Sequence, residues 1–127
     1  MAAATPQVLV ERFVKNAEPG LQPTLREARR CIREWAPGLA EAYQWGTPVY
    51  RGTRAVMYLA IQKGQVVLGF CHANEMPEFA GWFDERLSIV GKVRLAGPEA
   101  MERPGLREAV EAAAAAGEWP DANRSEP

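Results

Sequence analysis

The stretch AVMYLAIQKGQVVLGFC, residues 55–71, decides the fold class of this chain. Its runs of Val, Tyr, Leu and Phe predict two strands, at Arg54–Gln62 and Gln65–Cys71. Only Lys63 and Gly64 separate them, which is enough for a hairpin turn but too short for a crossover helix, so we expect antiparallel neighbours. Because Ala55–Ile61 is apolar on both alternating faces, we also expect this strand to be interior and covered on both sides.

Helical patterns lie on either side of this hairpin. Thr5 and the proline after it form a typical helix start, and the first helix is predicted to run to about Ala17. A second helix is predicted from Pro23, with an apolar face at helical spacing that comprises Leu25, Ala28, Ile32, Trp35 and Ala36. The last helix is predicted from near Pro104 to Gly117.

The remaining strands and their order predict the architecture. Strands are expected at Tyr43–Trp45 and Leu87–Leu95, the second with Ile89, Val93 and Leu95 on one face. Helices, then consecutive strands, then a helix predict an α+β domain. We expect an antiparallel meandering sheet of about five strands, with N-terminal helices and a C-terminal helix packed on one face. Residues 1–118 are predicted to form one domain, and residues 119–127 a flexible C-terminal tail.

The composition argues against several functional classes. Fifteen Lys and Arg residues against 16 Asp and Glu residues give a formal net charge of −1, which creates no global attraction to nucleic acid or to anionic lipid. No run approaches the roughly 18 apolar residues of a membrane span. The two cysteines, Cys31 and Cys71, form no CxxC pair or disulfide framework, which favours a reducing, cytoplasmic location.

The segment YQWGTPVY, residues 43–50, is the densest candidate site. Pro48 restricts Thr47 to an extended conformation and Gly46 permits a sharp bend, so the segment is expected to form a rigid aromatic corner. Trp45 and Tyr50, with Phe70 nearby, are candidates to line a small-ligand pocket. The alternative, which is the commoner role for such rings, is that they plug the sheet against the helices.

His72 is the single histidine and the natural candidate for a metal ligand. Adjacent strand residues point to opposite faces, so Cys71 and His72 do not converge on one metal. An oxygen-rich iron site built from His72, Glu75 and Glu78 remains an alternative with few ligands. The sequence contains no GxSxG, HExxH, GxGxxG or P-loop motif. We therefore predict no catalytic residues, no metal site and no cofactor.

A group of arginines on the second helix is a candidate anion site. These are Arg26, Arg29, Arg30 and Arg33, which are expected to lie away from Glu27 and Glu34, with Arg51 and Arg54 as further contributors. Guanidinium groups in this pattern bind phosphates or acidic partners. The alternative is a solvated face whose side-chain stems cover apolar surface.

Four segments together resemble one known family: YQWGTPVY, VVLGFCH, a Gly-Lys pair and PGLREAVEAA. The combination is similar to the YdhG-like family of uncharacterised domains (domain of unknown function 1801), which is placed in the frataxin-like YjbR and CyaY superfamily. The resemblance implies helices on one face of an antiparallel sheet. The matching positions are Trp45, Gly46, Pro48, Tyr50, Gly69, Phe70, His72, Gly91 and Lys92. Ala73 departs from the family, which often has glycine there.

These patterns leave three functional hypotheses. The first is a binding or adaptor domain that holds a small anionic ligand, a protein partner or a second copy in a homodimer. Its candidate ligand-binding residues are Trp45, Pro48, Tyr50, Phe70, His72 and Lys92. The second, implied by the resemblance, is frataxin-like iron handling, although the first helix offers only Glu11 and Glu18. Nucleic-acid association is the third and least supported.

Overall fold

Helix α1 spans Pro6–Asn16 and begins where the sequence predicts it. In the computed structural model, which describes residues 4–117, the Thr5 hydroxyl accepts a hydrogen bond of 3.2 Å from the backbone N–H of Val8. The proline lies in the first helical turn, where its missing N–H has no intrahelical partner to lose. The helix therefore starts with a side-chain cap, and its buried residues are Val10 and Val14.

Helix α2 spans Gln22–Trp35 and follows a single 3₁₀ turn at Pro19–Leu21. Its core-facing residues include Leu25, Ala28 and Ile32, which are fully buried, as their spacing predicts. The helix ends shortly before Pro37, which has no backbone N–H to continue the ladder. The start predicted at Pro23 is confirmed to within one residue.

Within the described residues, six strands form one antiparallel sheet in the spatial order β1-β2-β3-β4-β6-β5. Their bounds are Ala40–Gln44 (β1), Thr47–Arg51 (β2), Ala55–Gln62 (β3), Gln65–Phe70 (β4), Glu85–Arg86 (β5) and Gly91–Leu95 (β6). The predicted α+β class and antiparallel meander are confirmed, with one short strand more than expected.

Two tight turns fix the register of the first four strands. Trp45 and Gly46 join β1 to β2, and Lys63 and Gly64 join β3 to β4. All four residues have positive φ, with values of 58°, 75°, 53° and 74° in chain order. Two-residue hairpin loops with positive φ at both positions are type I′ turns, whose twist matches that of the paired strands. The hairpin predicted at Lys63 and Gly64 is therefore confirmed, and the expected aromatic corner is the tip of a second hairpin.

The helices pack on one face of the sheet, as predicted. Strand side chains alternate, and those on the helix side join α2 and the C-terminal helix α3, Leu106–Gly117, in a single core. The strand residues in this core include Tyr50, Met57, Leu59, Leu68, Phe70, Val93 and Leu95. This face is thus the hydrophobic centre of the domain.

The other face of the sheet corrects one expectation, because Ala55–Ile61 is not covered by a second layer. By strand alternation this face carries Val49, Tyr58 and Val67, which lie outside the core cluster. Val49 and Val67 are nevertheless buried. The Tyr58 ring reaches across to Gly69 on β4 and occupies the space that a Cβ would take there. Side chains of the sheet itself therefore shield this apolar surface.

The strand predicted at Leu87–Leu95 is also corrected. Leu87 and Ile89 are 47% and 51% exposed, so Ile89 does not share the buried face of Val93 and Leu95. The N–H of Leu87 donates to the carbonyl of Val90 at 2.8 Å, and this turn reverses the chain before β6 begins. The two residues of β5, which precede the turn, pair with β6 at the sheet edge.

The described helices include none that is long and apolar enough to cross a membrane. The predicted flexible tail, residues 119–127, lies outside the described residues.

Candidate functional site

A cavity of about 160 Å³ lies where the ends of β3 and β4, helix α3 and the loop after β4 meet. We call it the α3 cavity. It is lined by Arg54, Val56, Phe70, His72, Glu75, Met76, Glu78, Ala112, Ala113 and Ala116. Its inner part is apolar and its rim carries charged groups, which is the usual arrangement of a small-molecule site.

The floor of the α3 cavity comes from the last residue of β4. Phe70 is fully buried, and strand alternation places His72, two residues later, on the same side. Cys71 points the other way, towards Tyr58. Burial of the Tyr58 ring raises the pKa of that phenol, and the nearby Cys71 adds to the rise. The sequence-based expectation that Cys71 and His72 diverge therefore agrees with the geometry.

The wall of the α3 cavity is built from small side chains. Ala112, Ala113 and Ala116 fall on one side of α3 and leave the space that larger residues would fill. Ala113 and Ala114 are themselves buried against the core. The alanine run thus contributes both to packing and to the cavity, and sequence reasoning assigned no site to it.

The rim of the α3 cavity is an ion pair beside a second carboxylate. Two guanidinium nitrogens of Arg54 lie 2.5 Å and 3.3 Å from the two carboxylate oxygens of Glu75. These hydrogen bonds hold the pKa of Glu75 below its usual value, with smaller contributions from the charges of Arg54 and His72. Glu78 lies exposed at the same rim. The rim therefore presents one guanidinium, one imidazole and two carboxylates.

An aromatic cluster anchors the loop that closes the α3 cavity. Phe70 contacts Trp82 and Phe83 edge-on, with ring centroids 6.2 Å and 5.3 Å away. The Trp82 indole N–H donates to the carbonyl of Pro104 at 3.0 Å, and the Arg103 guanidinium lies 4.4 Å above its ring. Within this loop the structure has 3₁₀ turns at Ala73–Glu75 and Pro77–Phe79. The loop is thus tied to the core by rings that sequence reasoning did not link to the site.

The predicted ligand-binding residues do not share one cavity. Phe70 and His72 line the α3 cavity, whereas Trp45 is 68% exposed at the tip of the first hairpin. Tyr50 is buried, and its hydroxyl donates to Glu41 at 2.8 Å. The ammonium group of Lys92 lies 3.2 Å from Oε1 of Gln62, on the opposite face of the sheet. Pro48 is buried in β2.

The arginines of α2 are paired with carboxylates. The pairs are Arg26 with Glu11 (2.9 Å), Arg29 with Glu41 (2.8 Å) and Glu11 (2.9 Å), Arg30 with Glu27 (2.7 Å) and Glu34 (2.6 Å), and Arg33 with Glu41 (3.9 Å). The expectation that these arginines lie away from Glu27 and Glu34 is therefore wrong for Arg30. Arg51 donates to Oε1 of Gln44 at 2.6 Å. Arg54 is the one member of the predicted anion-binding set that lines the α3 cavity.

His72, Glu75 and Glu78, the residues of the alternative iron site, all line the α3 cavity. Within residues 4–117, no group of three or more His, Cys, Asp or Glu side chains has the arrangement that a metal ion needs. The Glu75 carboxylate is instead held by Arg54.

The described residues form an α+β domain in which three helices pack on one face of a six-stranded antiparallel sheet. This is the fold of a DUF1801 family protein, YdhG of Bacillus subtilis. Its crystal structure is similar over 89% of this chain and 98% of that chain, with a TM-score of 0.52 and 15% sequence identity. The shared fold confirms the predicted resemblance to the YdhG-like family, while the wider frataxin-like placement stays a prediction. No family model and no curated protein matches the chain.

Proposed function

We propose that this chain is a small-ligand-binding domain and that the α3 cavity is its site. The ligand has an apolar part that lies above Phe70, against Val56, Met76 and the alanines of α3, and an acidic group that Arg54 and His72 bind. One observation carries the proposal: these three residues, singled out in the sequence for separate reasons, line the same cavity.

The size of the cavity limits the ligand. Its volume of about 160 Å³ lies below the roughly 300–1,000 Å³ of pockets for drug-sized molecules. Val56, Met76 and Ala113 supply apolar surface that a short hydrocarbon group would bury. The site therefore suits a molecule of metabolite size.

Arg54 can bind an acidic group without leaving Glu75. A guanidinium has five N–H donors, and Glu75 occupies donors on two of its nitrogens. The pair is half-exposed, and pairs of this kind contribute only about 0–1 kcal/mol, so rearrangement of Arg54 costs little.

The test is a pair of leucine substitutions on α3. Ala116 lines the cavity and Ala115 does not, and both are exposed, so neither change touches the core. We expect 4-methylpentanoate at millimolar concentration to shift the amide resonances of residues 72–78 in two-dimensional NMR spectra. Ala116→Leu should abolish these shifts and Ala115→Leu should preserve them. Equal shifts in both variants would overturn the proposal.

The exposed Trp45 favours a second candidate, contact with a protein partner. The ring borders a groove of about 390 Å³ lined by Phe13, Tyr58 and Ile61, and exposed aromatic residues are enriched at interfaces. Light scattering after gel filtration tests a second copy as the partner. A measured mass that rises with concentration in the wild type but not in Trp45→Ser would support a homodimer. A constant monomer mass at all concentrations would exclude it.

Iron handling and nucleic-acid binding have no comparable support. Glu11 is the one acidic residue of α1 and is held by Arg26 and Arg29, so α1 carries no acidic ridge. The other arginines of α2 also pair with carboxylates, Arg30 with Glu27 and Glu34 and Arg33 with Glu41, so α2 presents no unpaired basic stripe.

A further inference from the structure

We infer that the ligand of the α3 cavity is a small zwitterion, namely a free α-amino acid with a short apolar side chain. The inference rests on the proposed function and adds a positively charged group to the ligand. It follows from the charges of the rim, from their geometry and from the apolar floor.

The charges of the rim are mixed, and this argues against a simple anion. Among the described residues of the rim, Arg54 is the one side chain that is always cationic, while Glu75 and Glu78 contribute two carboxylates. A carboxylate ligand alone would bind Arg54 next to two like charges, and an amine alone would lie next to the guanidinium. A molecule with an ammonium group beside its carboxylate satisfies both signs at once.

The geometry of the ion pair accommodates such a ligand without breaking. Glu75 accepts from Arg54 through both oxygens and keeps further lone pairs for an ammonium group. Arg54 keeps donors for the ligand carboxylate. Four charges then alternate around the rim, from the ligand carboxylate through Arg54 and Glu75 to the ligand ammonium. Glu78, which makes no ion pair among the described residues, supplies a second acceptor for that ammonium.

The apolar floor selects the side chain of the amino acid. Phe70, Val56 and Met76 lie below the rim, and the alanines of α3 leave room for only a few carbon atoms. A branched aliphatic side chain fits this description, because a polar side chain would lose its hydrogen bonds to water here.

Three probes with one carbon skeleton test the inference in NMR titrations. They are L-leucine, 4-methylpentanoate, which lacks the ammonium group, and 3-methylbutylamine, which lacks the carboxylate. We expect L-leucine to bind at least about tenfold more tightly than either relative. Equal affinity for 4-methylpentanoate, still blocked by Ala116→Leu, would refute the zwitterion and leave the proposed function standing. If none of the three probes binds, both proposals fail.

A charge-removing variant gives an independent readout. Glu78→Gln should lower the affinity for L-leucine about five- to tenfold. The affinity for 4-methylpentanoate should stay unchanged or rise slightly. The matched control is Glu108→Gln, an exposed glutamate of α3 outside the cavity, which should change neither affinity. A Glu78→Gln protein that binds L-leucine as tightly as the wild type would contradict the role given to the ammonium group.

Discussion

The Tyr50 hydroxyl donates a hydrogen bond of 2.8 Å to Oε2 of Glu41, and the two side chains are 1% and 3% exposed. Arg29 donates to both oxygens of the same carboxylate at 2.8 Å. This network joins β1, β2 and α2 beneath the protein surface. A hydrogen bond to a buried charged group contributes about 1.5–3 kcal/mol. Loss of the Tyr50–Glu41 hydrogen bond should therefore lower the stability of the whole fold.

We predict that Tyr50→Phe lowers the free energy of unfolding by about 1.5–3 kcal/mol in urea titrations. The control is Tyr43→Phe, because the Tyr43 hydroxyl donates to the Gly46 carbonyl in an exposed setting, at 3.0 Å. The control should lose less than about 1 kcal/mol. Equal losses in the two variants would show that burial of the Tyr50–Glu41 bond adds nothing.

The same hydrogen bond predicts that the free energy of unfolding depends on pH. Burial, and then the charge of Glu41, raise the pKa of Tyr50 far above its ordinary value of 10.0. The folded state therefore keeps this phenol neutral, while the unfolded chain ionises it above about pH 10. The stability advantage of the wild type over Tyr50→Phe should be constant up to that pH and then fall by about 1.4 kcal/mol per pH unit. Urea titrations between pH 8 and about 11 measure it, and a constant difference would contradict the assignment.

The local features of this fold are predictable from the sequence. The Lys63–Gly64 turn, the cap at Thr5 and the buried stripe of α2 follow from residues within one turn or one hairpin of each other. Strand alternation likewise places Phe70 and His72 on one side of the sheet.

The remaining features depend on contacts between distant residues. Arg29 donates hydrogen bonds to Glu11, 18 residues away, and to Glu41, 12 residues away. A position on α2 that looks like part of a basic surface in the sequence is therefore paired with carboxylates in the fold. Trp45 and Tyr50 lie on one hairpin, but a residue at its tip is exposed and a residue in its strand faces the core. The α3 cavity exists because alanines leave space, and an unfilled volume has no signature in one sequence.

Close packing around Gly91 predicts a costly substitution. A Cβ at this position would lie 2.7 Å from the Phe83 ring, which Phe70 and Trp82 hold in place. We expect Gly91→Ala to destabilise the protein by about 1–3 kcal/mol in thermal or urea unfolding, because the aromatic cluster must shift. Gly20→Ala is the matched control, since nothing lies within 4 Å of its added Cβ. If Gly91→Ala lowered the free energy of unfolding no more than the control does, the aromatic cluster would be shown to shift at little cost.

Both cysteines should react slowly in the native protein. Burial raises the pKa of Cys71 to about 11, and burial with the Glu27 carboxylate raises the pKa of Cys31 to about 11. Since the thiolate is the reactive form, a shift from the ordinary 9.0 lowers its fraction at pH 8 about a hundredfold. Iodoacetamide labelling followed by mass spectrometry should show slow modification at pH 8 and fast modification in urea. Native labelling at the urea rate would contradict the raised pKa values.

Thr47 supplies a hydrogen bond that Pro48 cannot make. The β2–β3 ladder ends at the Val49–Tyr58 pair. Continued by one step, the same register places Pro48 opposite Leu59, and Pro48 has no N–H to donate. The Thr47 hydroxyl donates to the Leu59 carbonyl instead.

Thr47→Val should therefore leave the Leu59 carbonyl without a donor and cost about 1–3 kcal/mol of unfolding free energy, whereas Thr47→Ser should retain most of the stability. In a Pro48→Ala background the new backbone N–H can reach the Leu59 carbonyl, so Thr47→Val should cost measurably less there. A double-mutant cycle in urea measures this coupling. Strict additivity of the two substitutions would show that the hydroxyl does not replace the missing backbone donor.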